Sequence, residues 1–412
     1  MTVTARCGPV RAGDASYKRR DERREGDMSK RTDDGIRIGY SRATDPDRAA
    51  AELHQALKQP QASIAVFFCS ADYDLPVLGS ALSALFGDVD LIGCTTAGEI
   101  APVGYLEGAI VGFSLAAPDF IAVSAAISNL PAFSITEGEV IARDLRERLD
   151  REAGPSDSDD TFAFLLIDGL DKCEDIVVSA LYAALGKVPL FGGSSGGAMS
   201  FGSSSVFYDG AFHRDSAVLM MVRTRRAFRL FTTDHFVPSD TKMVITEADP
   251  ISRVVTEINA EPAGREYARL VGLDVDKLTP MIFATHPVMV KVGGRYYVRA
   301  IQKVNDDGSL TFFCAIDKGL VLTVARGTDI IRNLAEQFDR IRAEIGRPRL
   351  VIGCECILRS LELERNQLKA VAGQLLAAQN VVGFNTFGEQ FQAMHVNQTF
   401  TCVAIGRGRA ST

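Results

Sequence analysis

Features typical of membrane, secreted and nucleic-acid-binding proteins are missing from this sequence. No apolar run reaches the ~18–20 residues that span a bilayer, and the first residues lack the apolar core of a secretory signal. The globular part has no long basic stripe, and 45 Lys plus Arg against 52 Asp plus Glu give a net charge of −7. This balance argues against a nucleic-acid binder. We therefore expect a soluble, cytoplasmic protein that binds neither membranes nor nucleic acids.

Cysteine and the standard catalytic motifs are also scarce. Eight Cys in 412 residues are too dilute for a disulfide scaffold, and no CxxC or CxxCH occurs to hold zinc or covalent haem. The motifs GxxxxGK[ST], GxSxG and HExxH are absent as well. Cys94 or Cys356 would be the nucleophile of an enzyme, but no histidine close in sequence supplies the adjacent base that a reactive thiol needs. The sequence therefore favours a protein that is not an enzyme.

The length suggests two or three domains, and the composition divides the chain unevenly. Residues 1–40 are crowded with charge, including eight consecutive charged residues from Lys18 to Glu25. Such a segment buries too little apolar surface to offset its ordering entropy, so we expect a disordered tail. Met28 is an alternative start of translation. We divide the rest into an N-terminal domain of residues 41–240 and a C-terminal domain of residues 241–412.

The N-terminal domain alternates short apolar runs with helical patterns. Runs of this kind are typical of strands buried on both faces, and the alternation predicts an α/β domain with a mostly parallel sheet. We see no solenoid-scale repeat. The predicted strands are 63–70, 89–94, 108–115, 121–128, 161–168 and 189–197, and the predicted helices are 45–59, 75–87, 135–151 and 174–186.

The C-terminal domain mixes helices and strands without that alternation. Asp307-Gly308 is a turn signal that joins two of its strands as a hairpin. We predict an α+β domain. Its predicted strands are 286–292, 296–304, 310–316, 350–356 and 399–406, and its predicted helices are 264–271, 327–346 and 361–379.

Two loops rich in small polar residues follow strands of the predicted parallel sheet. One contains Thr95 and Thr96, and the other contains Ser194 and Ser195 within a glycine-rich stretch. Both would lie at the carboxyl edge of the sheet, which is the usual place for a ligand crevice. The plainer interpretation of the second loop is a flexible connection.

Several motifs in the expected order resemble the FIST family. The resemblance covers about residues 36–406 and implies a sensory input module that binds small ligands such as amino acids. The FIST N motifs are IGCTTAGEI (92–100), FLLIDG (164–169), PLFGGSSGG (189–197) and SSVFYDGAF (204–212), and the FIST C motifs are VMVKVGGRYYVRAIQKVNDDGSL (288–310), GCECILR (353–359) and GFNTFGEQ…HVNQTFT (383–401).

The chain is also similar to the nitric-oxide-sensing branch of the FIST family, because it carries no fused kinase domain. KLTPMIFATHPVMV (277–290) and MHVNQTFT (394–401) resemble that branch. The resemblance implies haem b as cofactor and nitric oxide as ligand. It also implies a separate histidine kinase as partner, with an effect on cyclic-di-GMP, biofilm or quorum signalling.

Three histidines are candidates for the axial ligand of such a haem. An iron that senses a diatomic gas needs one neutral imidazole in an apolar pocket with an open distal side. His286 has the most apolar sequence neighbours, followed by His395 and His235. Each would otherwise be an ordinary buried histidine, and His395 would also suit a generic ligand pocket.

The alternative function is a sensor of a small polar ligand without haem. Its site would use Thr95, Thr96, Ser194 and Ser195 from the two loops, together with Arg299 and Asn397. The resemblance points to Arg299, whose guanidinium suits a carboxylate ligand or a haem propionate, and to Asn397.

Overall fold

The computed structural model describes residues 35–156, 159–197 and 204–408. Most of the predicted tail, residues 1–34, lies outside the described residues, and the first strand begins at Ile36. Within the described ranges, no helix is long and apolar enough to cross a membrane.

The first of three similar units begins at this strand. Asp45 caps its first helix by accepting a hydrogen bond from the Arg48 N–H at 2.8 Å. Its elements are β1 (Ile36–Ser41), α1 (Pro46–Leu57), β2 (Ala62–Ser70), α2 (Leu75–Phe86), β3 (Leu91–Thr96), β4 (Glu99–Ala101), β5 (Gly104–Leu106) and β6 (Ile110–Ala116).

The second unit repeats this order of strands and helices. Ser134 caps its long first helix. Its elements are β7 (Phe120–Ser128), α3 (Ile135–Ala153), β8 (Thr161–Ile167), α4 (Glu174–Leu185), β9 (Leu190–Ser194), β10 (Val206–Tyr208), β11 (Ala211–His213) and β12 (Ser216–Thr224).

The third unit begins with β13 (Arg226–Thr233) and is then interrupted by an insertion. The strands of this insertion form one eight-stranded antiparallel sheet. The elements of the insertion are β14 (Phe236–Asp249), β15 (Val254–Ile258), β16 (Glu261–Pro262), α5 (Ala263–Val271), α6 (Pro280–Thr285), β17 (Val288–Val292), β18 (Arg295–Arg299), β19 (Ile301–Val304), β20 (Leu310–Phe312) and β21 (Val321–Gly327).

After the insertion, the third unit resumes with the same pattern of strands. The predicted helix 361–379 is two helices, separated by a turn in which Gln367 has a φ of 58°. The remaining elements are α7 (Ile330–Ile345), β22 (Leu350–Cys356), α8 (Ile357–Arg365), α9 (Lys369–Ala378), β23 (Val381–Thr386), β24 (Glu389–Phe391), β25 (Met394–Val396) and β26 (Phe400–Gly408).

The three units exchange their short hairpins in a cycle. Each unit forms four strands of a six-stranded sheet, and a hairpin from another unit completes it. The strand orders are β1-β6-β2-β3-β10-β11, β7-β12-β8-β9-β24-β25 and β13-β26-β22-β23-β4-β5. The arrangement is a threefold pseudosymmetric core in which no unit has a complete sheet of its own.

The predicted mostly parallel N-terminal sheet is wrong. Among the described residues of the first two units, only β2 with β3 and β8 with β9 pair in parallel, whereas β6 and β12 return antiparallel beside them. The protein is therefore mixed α/β with four mostly antiparallel sheets. The apolar runs misled the prediction because these strands are buried on both faces, which is usual for parallel sheets but is not confined to them.

The insertion sheet curls until it is nearly closed. Its order begins with β18 and ends with β19, yet only Ala300 separates these two strands in the chain. The continuous strand predicted at 296–304 is therefore broken at this residue. The break places Arg299 at a corner that faces the core.

The hydrophobic core joins the sheets of all three units. The Phe68 ring lies 4.5 Å from Phe384 and 6.4 Å from Phe164, so one aromatic group contains a residue from each unit. The predicted division at 240/241 falls within β14, and β4–β5 extends the sheet of the third unit. That division stays a prediction.

Candidate functional site

A group of buried polar side chains lies where the second unit, the third unit and the insertion meet. β24 pairs with β9, so the β24–β25 hairpin brings Gln390 beside Ser194, to which Gln390 Nε2 donates at 2.9 Å. From the insertion, Arg299 Nη1 donates to the backbone oxygen of His395 at 3.3 Å. We call the group the polar cluster; it contains Arg299, Gln390, His395, Asn397 and Gln398, all buried.

Several atoms of the polar cluster lack a hydrogen-bond partner among the described residues. Asn397 is 0% exposed and leaves both amide atoms unpaired. Each such buried atom costs about 1–3 kcal/mol, and native proteins contain few of them. A bound polar molecule would supply the missing bonds. The six unpaired atoms are Arg299 Nε, Gln390 Oε1, His395 Nε2, Asn397 Nδ2, Asn397 Oδ1 and Gln398 Oε1.

Gly388 has no side chain, and two of these unpaired atoms lie close to the place that its side chain would occupy. A Cβ built on this glycine would lie 2.6 Å from His395 Nε2 and 3.0 Å from Asn397 Nδ2. It would also lie 2.3 Å from His395 Cε1. Any side chain at this position would therefore collide with the polar cluster.

The polar cluster can both donate and accept hydrogen bonds. Burial lowers the pKa of His395 below its ordinary value, although the nearby carboxylates Glu174 and Asp175 oppose this shift, so the neutral imidazole is favoured. Gln390 Nε2 lies 3.3 Å from His395 Nδ1, which therefore accepts and leaves Nε2 as a donor. No carboxylate of the described chain pairs with Arg299, which is only 8% exposed.

The turn Thr386–Glu389 packs against the polar cluster, because its Gly388 lies beside His395 and Asn397. Glu389 is 0% exposed, and burial raises the pKa of its carboxyl to about 8. Thr386 Oγ1 donates to Glu389 Oε1, and the Thr399 hydroxyl donates to Oε2 at 2.7 Å. These hydrogen bonds hold the turn in place and thereby position Gly388 next to the polar cluster.

The first unit contains the same turn at Thr96–Glu99. Thr96 Oγ1 donates to Glu99 Oε1 at 2.5 Å, and the N–H of Ala109 donates to Oε2 at 3.1 Å. Burial raises the pKa of Glu99 to about 7. The pattern Thr-x-Gly-Glu occurs three times in the sequence, and the first and last copies form this turn, whereas the copy at 136–139 lies in α3. Together with the strand that precedes each turn, the first and last copies could have drawn attention to Gly388 and Glu389.

The two predicted hydroxyl-rich loops do meet, since the N–H of Gly196 donates to the backbone oxygen of Thr95 at 3.0 Å. Their side chains are already hydrogen-bonded. Thr95 Oγ1 accepts from the backbone N–H of the residue before β10, Thr96 bonds to the glutamate of its turn, and Ser195 bonds to another serine. Of these four predicted residues, Ser194 alone has a hydrogen bond to the polar cluster among the described residues.

His235, one of the predicted iron ligands, has both ring nitrogens engaged. Its Nε2 lies 2.9 Å from both carboxylate oxygens of Glu362, and its Nδ1 lies 3.1 Å from Nη1 of the fully buried Arg359. Burial lowers the pKa of this histidine. These hydrogen bonds connect the segment between β13 and β14 to α8.

The other two histidines differ in access. His395 Nε2 lies beside Gly388, and a Cβ added to this glycine would come within 2.6 Å of it. His286 is half-buried, and its Nδ1 lies 3.0 Å from Thr285 Oγ1. No described residue is hydrogen-bonded to His286 Nε2. His235 thus has both ring nitrogens engaged, whereas Nε2 of His395 and Nε2 of His286 have no hydrogen-bond partner in the described chain, and the axial ligand stays a prediction.

Three aspartates that the sequence analysis missed lie close together near the second unit's glycine-rich loop. One carboxylate oxygen from each of Asp168, Asp171 and Asp215 lies within 4.8 Å of the others. Asp168 accepts hydrogen bonds from the backbone N–H groups of Leu170 and Asp215. Burial raises the pKa of Asp171 to about 8. These oxygens are of the type that hard cations prefer.

The two cysteines considered as nucleophiles are unsuited to that role. Cys94 and Cys356 are both 0% exposed, and burial raises the pKa of each thiol well above its ordinary value. A reactive cysteine needs the opposite shift. Neither thiol is therefore suited to act as a nucleophile.

Comparison with known families divides nearly the whole chain in two. Residues 63–261 match the family model of the FIST N domain, and residues 263–392 match that of the FIST C domain. The Thr96–Glu99 turn falls in the first match, and the Thr386–Glu389 turn with Arg299 falls in the second.

Other comparisons add little. No curated protein matches the sequence. Among solved structures, the crystal structure of a cyanuric acid hydrolase from A. caulinodans aligns over 91% of this chain and 99% of its own, with 10% identity and a TM-score of 0.38. A likeness at that level carries no functional inference.

Proposed function

Because this chain is a FIST domain protein, with a FIST N domain followed by a FIST C domain, we propose that it senses a small zwitterionic ligand such as an amino acid. FIST domains sense small ligands in signalling proteins, and this role is in keeping with a protein that is not an enzyme. The observation that carries the proposal is the set of six unpaired buried polar atoms in the polar cluster.

The unpaired atoms match the two charged ends of an amino acid. Arg299 Nε, His395 Nε2 and Asn397 Nδ2 are donors suited to a carboxylate. The oxygens of Gln390, Asn397 and Gln398 are three acceptors, and an ammonium group has three N–H donors. A buried guanidinium without a carboxylate is costly, so a ligand that brings a carboxylate is favoured.

The position of the polar cluster gives ligand binding a route to a conformational signal. A ligand bonded to Arg299 and Asn397 would connect the insertion to the third unit, and Gln390 is already bonded to Ser194 of the second unit. Such a ligand favours the arrangement in which these segments are close, and it shifts the equilibrium by its difference in affinity between arrangements. We infer that a separate signalling partner, a histidine kinase, reads this difference.

Haem-based sensing of nitric oxide is the second candidate, and it depends on His286, whose Nε2 has no partner in the described chain. Haem added to the purified protein would then give a Soret band that His286→Ala removes, with the far-UV spectrum unchanged. A colourless protein that ignores haem contradicts this candidate and leaves the polar-ligand proposal intact.

A thermal-shift screen of the twenty amino acids tests the polar-ligand proposal. A ligand that binds only the folded state raises the melting temperature with its concentration. We expect at least one amino acid to stabilise the wild type but not Asn397→Ala. Gln379→Ala is the matched control, since Gln379 is another buried amide with an unpaired oxygen but lies outside the polar cluster. A wild type that responds to none of them, or an Asn397→Ala that responds equally, contradicts the proposal.

A further inference from the structure

Gln398 of the polar cluster uses the two ends of its amide differently. Its Nε2 donates to the backbone oxygens of Phe283 and Ala284, at 3.2 and 3.1 Å, whereas its Oε1 has no hydrogen-bond partner among the described residues. Only the nitrogen of an amide side chain can donate to a carbonyl, so these two bonds determine how the side chain is oriented. Gln398 is 0% exposed, and its unpaired oxygen therefore needs a donor that the described chain does not supply.

The two carbonyls belong to α6, a helix of only six residues. The last carbonyls of a helix have no partner within it, and a helix this short is marginal on its own. Gln398 satisfies two of these carbonyls, and the hydroxyl of Tyr267 donates at 2.6 Å to the backbone oxygen of His286, directly after the helix. Side chains from other elements therefore hold the C-terminal end of α6.

α6 has one buried side and one partly exposed side. Phe283 and Ala284 are buried in the hydrophobic core, whereas Met281, Ile282 and Thr285 are half-buried. A change in the position of α6 would therefore alter a surface that another protein can contact. The helix that Gln398 holds is in this way a connection between the buried polar cluster and the outside of the molecule.

We propose that α6 is the element that reports ligand binding and that Gln398 couples it to the site; the proposal rests on the amino-acid site proposed above. Without ligand, the unpaired oxygen of Gln398 favours arrangements in which α6 moves away and water reaches the amide. The ammonium of an amino acid donates to this oxygen and removes that advantage. Ligand binding therefore shifts α6 toward the closed position, and the signalling partner distinguishes the two positions.

Hydrogen exchange of the full-length protein, measured by mass spectrometry with and without an equimolar mixture of the twenty amino acids, tests the proposal. We expect the mixture to slow exchange in α6 roughly tenfold, since it satisfies one buried acceptor. Exchange in α5, another helix of the insertion, should stay unchanged. The melting temperature, measured on the same samples, reports whether the mixture binds.

Variants of Gln398 separate coupling from binding. Gln398→Met keeps the size of the side chain without its donor and acceptor, and Gln398→Glu keeps an acceptor for the ammonium but cannot make both bonds to α6. In neither variant should the mixture slow exchange in α6, whereas Gln398→Glu should still show the rise in melting temperature. Gln379→Met is the matched control, since Gln379 is a buried amide outside the polar cluster, and it should behave like the wild type.

The outcomes distinguish this proposal from the one on which it rests. A wild type whose melting temperature rises with the mixture while α6 exchanges as before overturns the coupling and leaves the amino-acid site intact. A mixture that does not raise the melting temperature contradicts both. Slowing of α6 in the two Gln398 variants as large as in the wild type would show that the coupling does not pass through this residue.

Discussion

At the scale of single residues, the site depends partly on side chains whose role no local sequence pattern indicates. The sequence predicts Arg299 and Asn397 through family motifs and Ser194 through its loop, and the structure brings these three around one place. Gln390 and Gln398 were not predicted, because an amide shows its role only when burial leaves its atoms unpaired. His235 has apolar neighbours in sequence, and its hydrogen bonds to charged groups come from distant segments.

Arg299→Lys should weaken the binding of the amino acid by roughly tenfold, since Lys cannot present the planar fork of donors that a carboxylate matches. The melting temperature of the ligand-free protein should change little, because Arg299 makes one 3.3 Å hydrogen bond within the described chain. Calorimetric titration measures the affinity. An unchanged affinity would remove Arg299 from the site.

Asn397→Leu should stabilise the ligand-free protein while abolishing its response to ligand. Removing a buried amide with no partner recovers about 1–3 kcal/mol of unfolding free energy. Asn385→Leu is the control, since Asn385 is also buried but donates to Glu355 at 3.1 Å, and this variant should lose stability. Urea unfolding compares the two. If Asn397→Leu is destabilised as much as Asn385→Leu, Asn397 is a structural residue.

At the scale of elements, the turns at Thr96–Glu99 and Thr386–Glu389 carry buried carboxyls whose pKa values are raised by burial. The sequence predicts most of the helices and central strands, because their apolar periodicity and caps are local signals. Among the longer strands it misses β1, β14, β15, β21 and β23, and it misses the exchange of hairpins, which depends on hydrogen bonds between segments far apart in the chain.

The turns predict a loss of stability in mild alkali. The folded pKa values of about 7 for Glu99 and about 8 for Glu389 exceed the ordinary value of 4.5. Their protonated forms therefore stabilise the fold fully below that ordinary value, and this contribution is lost as the pH rises through 7 and 8. Between pH 7 and pH 9, urea unfolding should show a smaller loss for the double variant Glu99→Gln, Glu389→Gln than for the wild type. Equal losses would show that these carboxyls are ionised in the folded protein.

At the scale of the whole molecule, three units and one insertion pack against one another through shared hydrophobic clusters. A search for repeats in the sequence finds none of solenoid length, because the units share strand order rather than residues. The mostly parallel sheet predicted from the alternation of strands and helices is wrong for a related reason. Apolar runs indicate which strands are buried, whereas the direction of neighbouring strands depends on which segments of the chain pair with each other. Function is expected where these parts meet.

One buried ion-pair group joins the insertion to the second unit. Arg253, on the insertion, lies 2.7 Å from Glu174 and 3.1 Å from Asp175. Arg253→Met leaves Glu174 buried without its cation and should cost about 3–5 kcal/mol of unfolding free energy. Lys318→Met, which changes an exposed pair with Glu247 within the insertion, should leave the unfolding free energy nearly unchanged. Urea unfolding distinguishes them, and similar small losses would show that the pair does not hold the insertion in place.

The central claim is that the polar cluster binds a small zwitterion, and filling it with a methyl group tests this claim most directly. Gly388→Ala places a Cβ 2.3 Å from the His395 imidazole, whereas Gly327→Ala meets nothing closer than 3.6 Å and serves as the matched control. Calorimetric titration uses the amino acid that most stabilises the wild type. We predict equal affinity for the wild type and Gly327→Ala and no measurable binding to a folded Gly388→Ala. Wild-type affinity in Gly388→Ala would contradict the account.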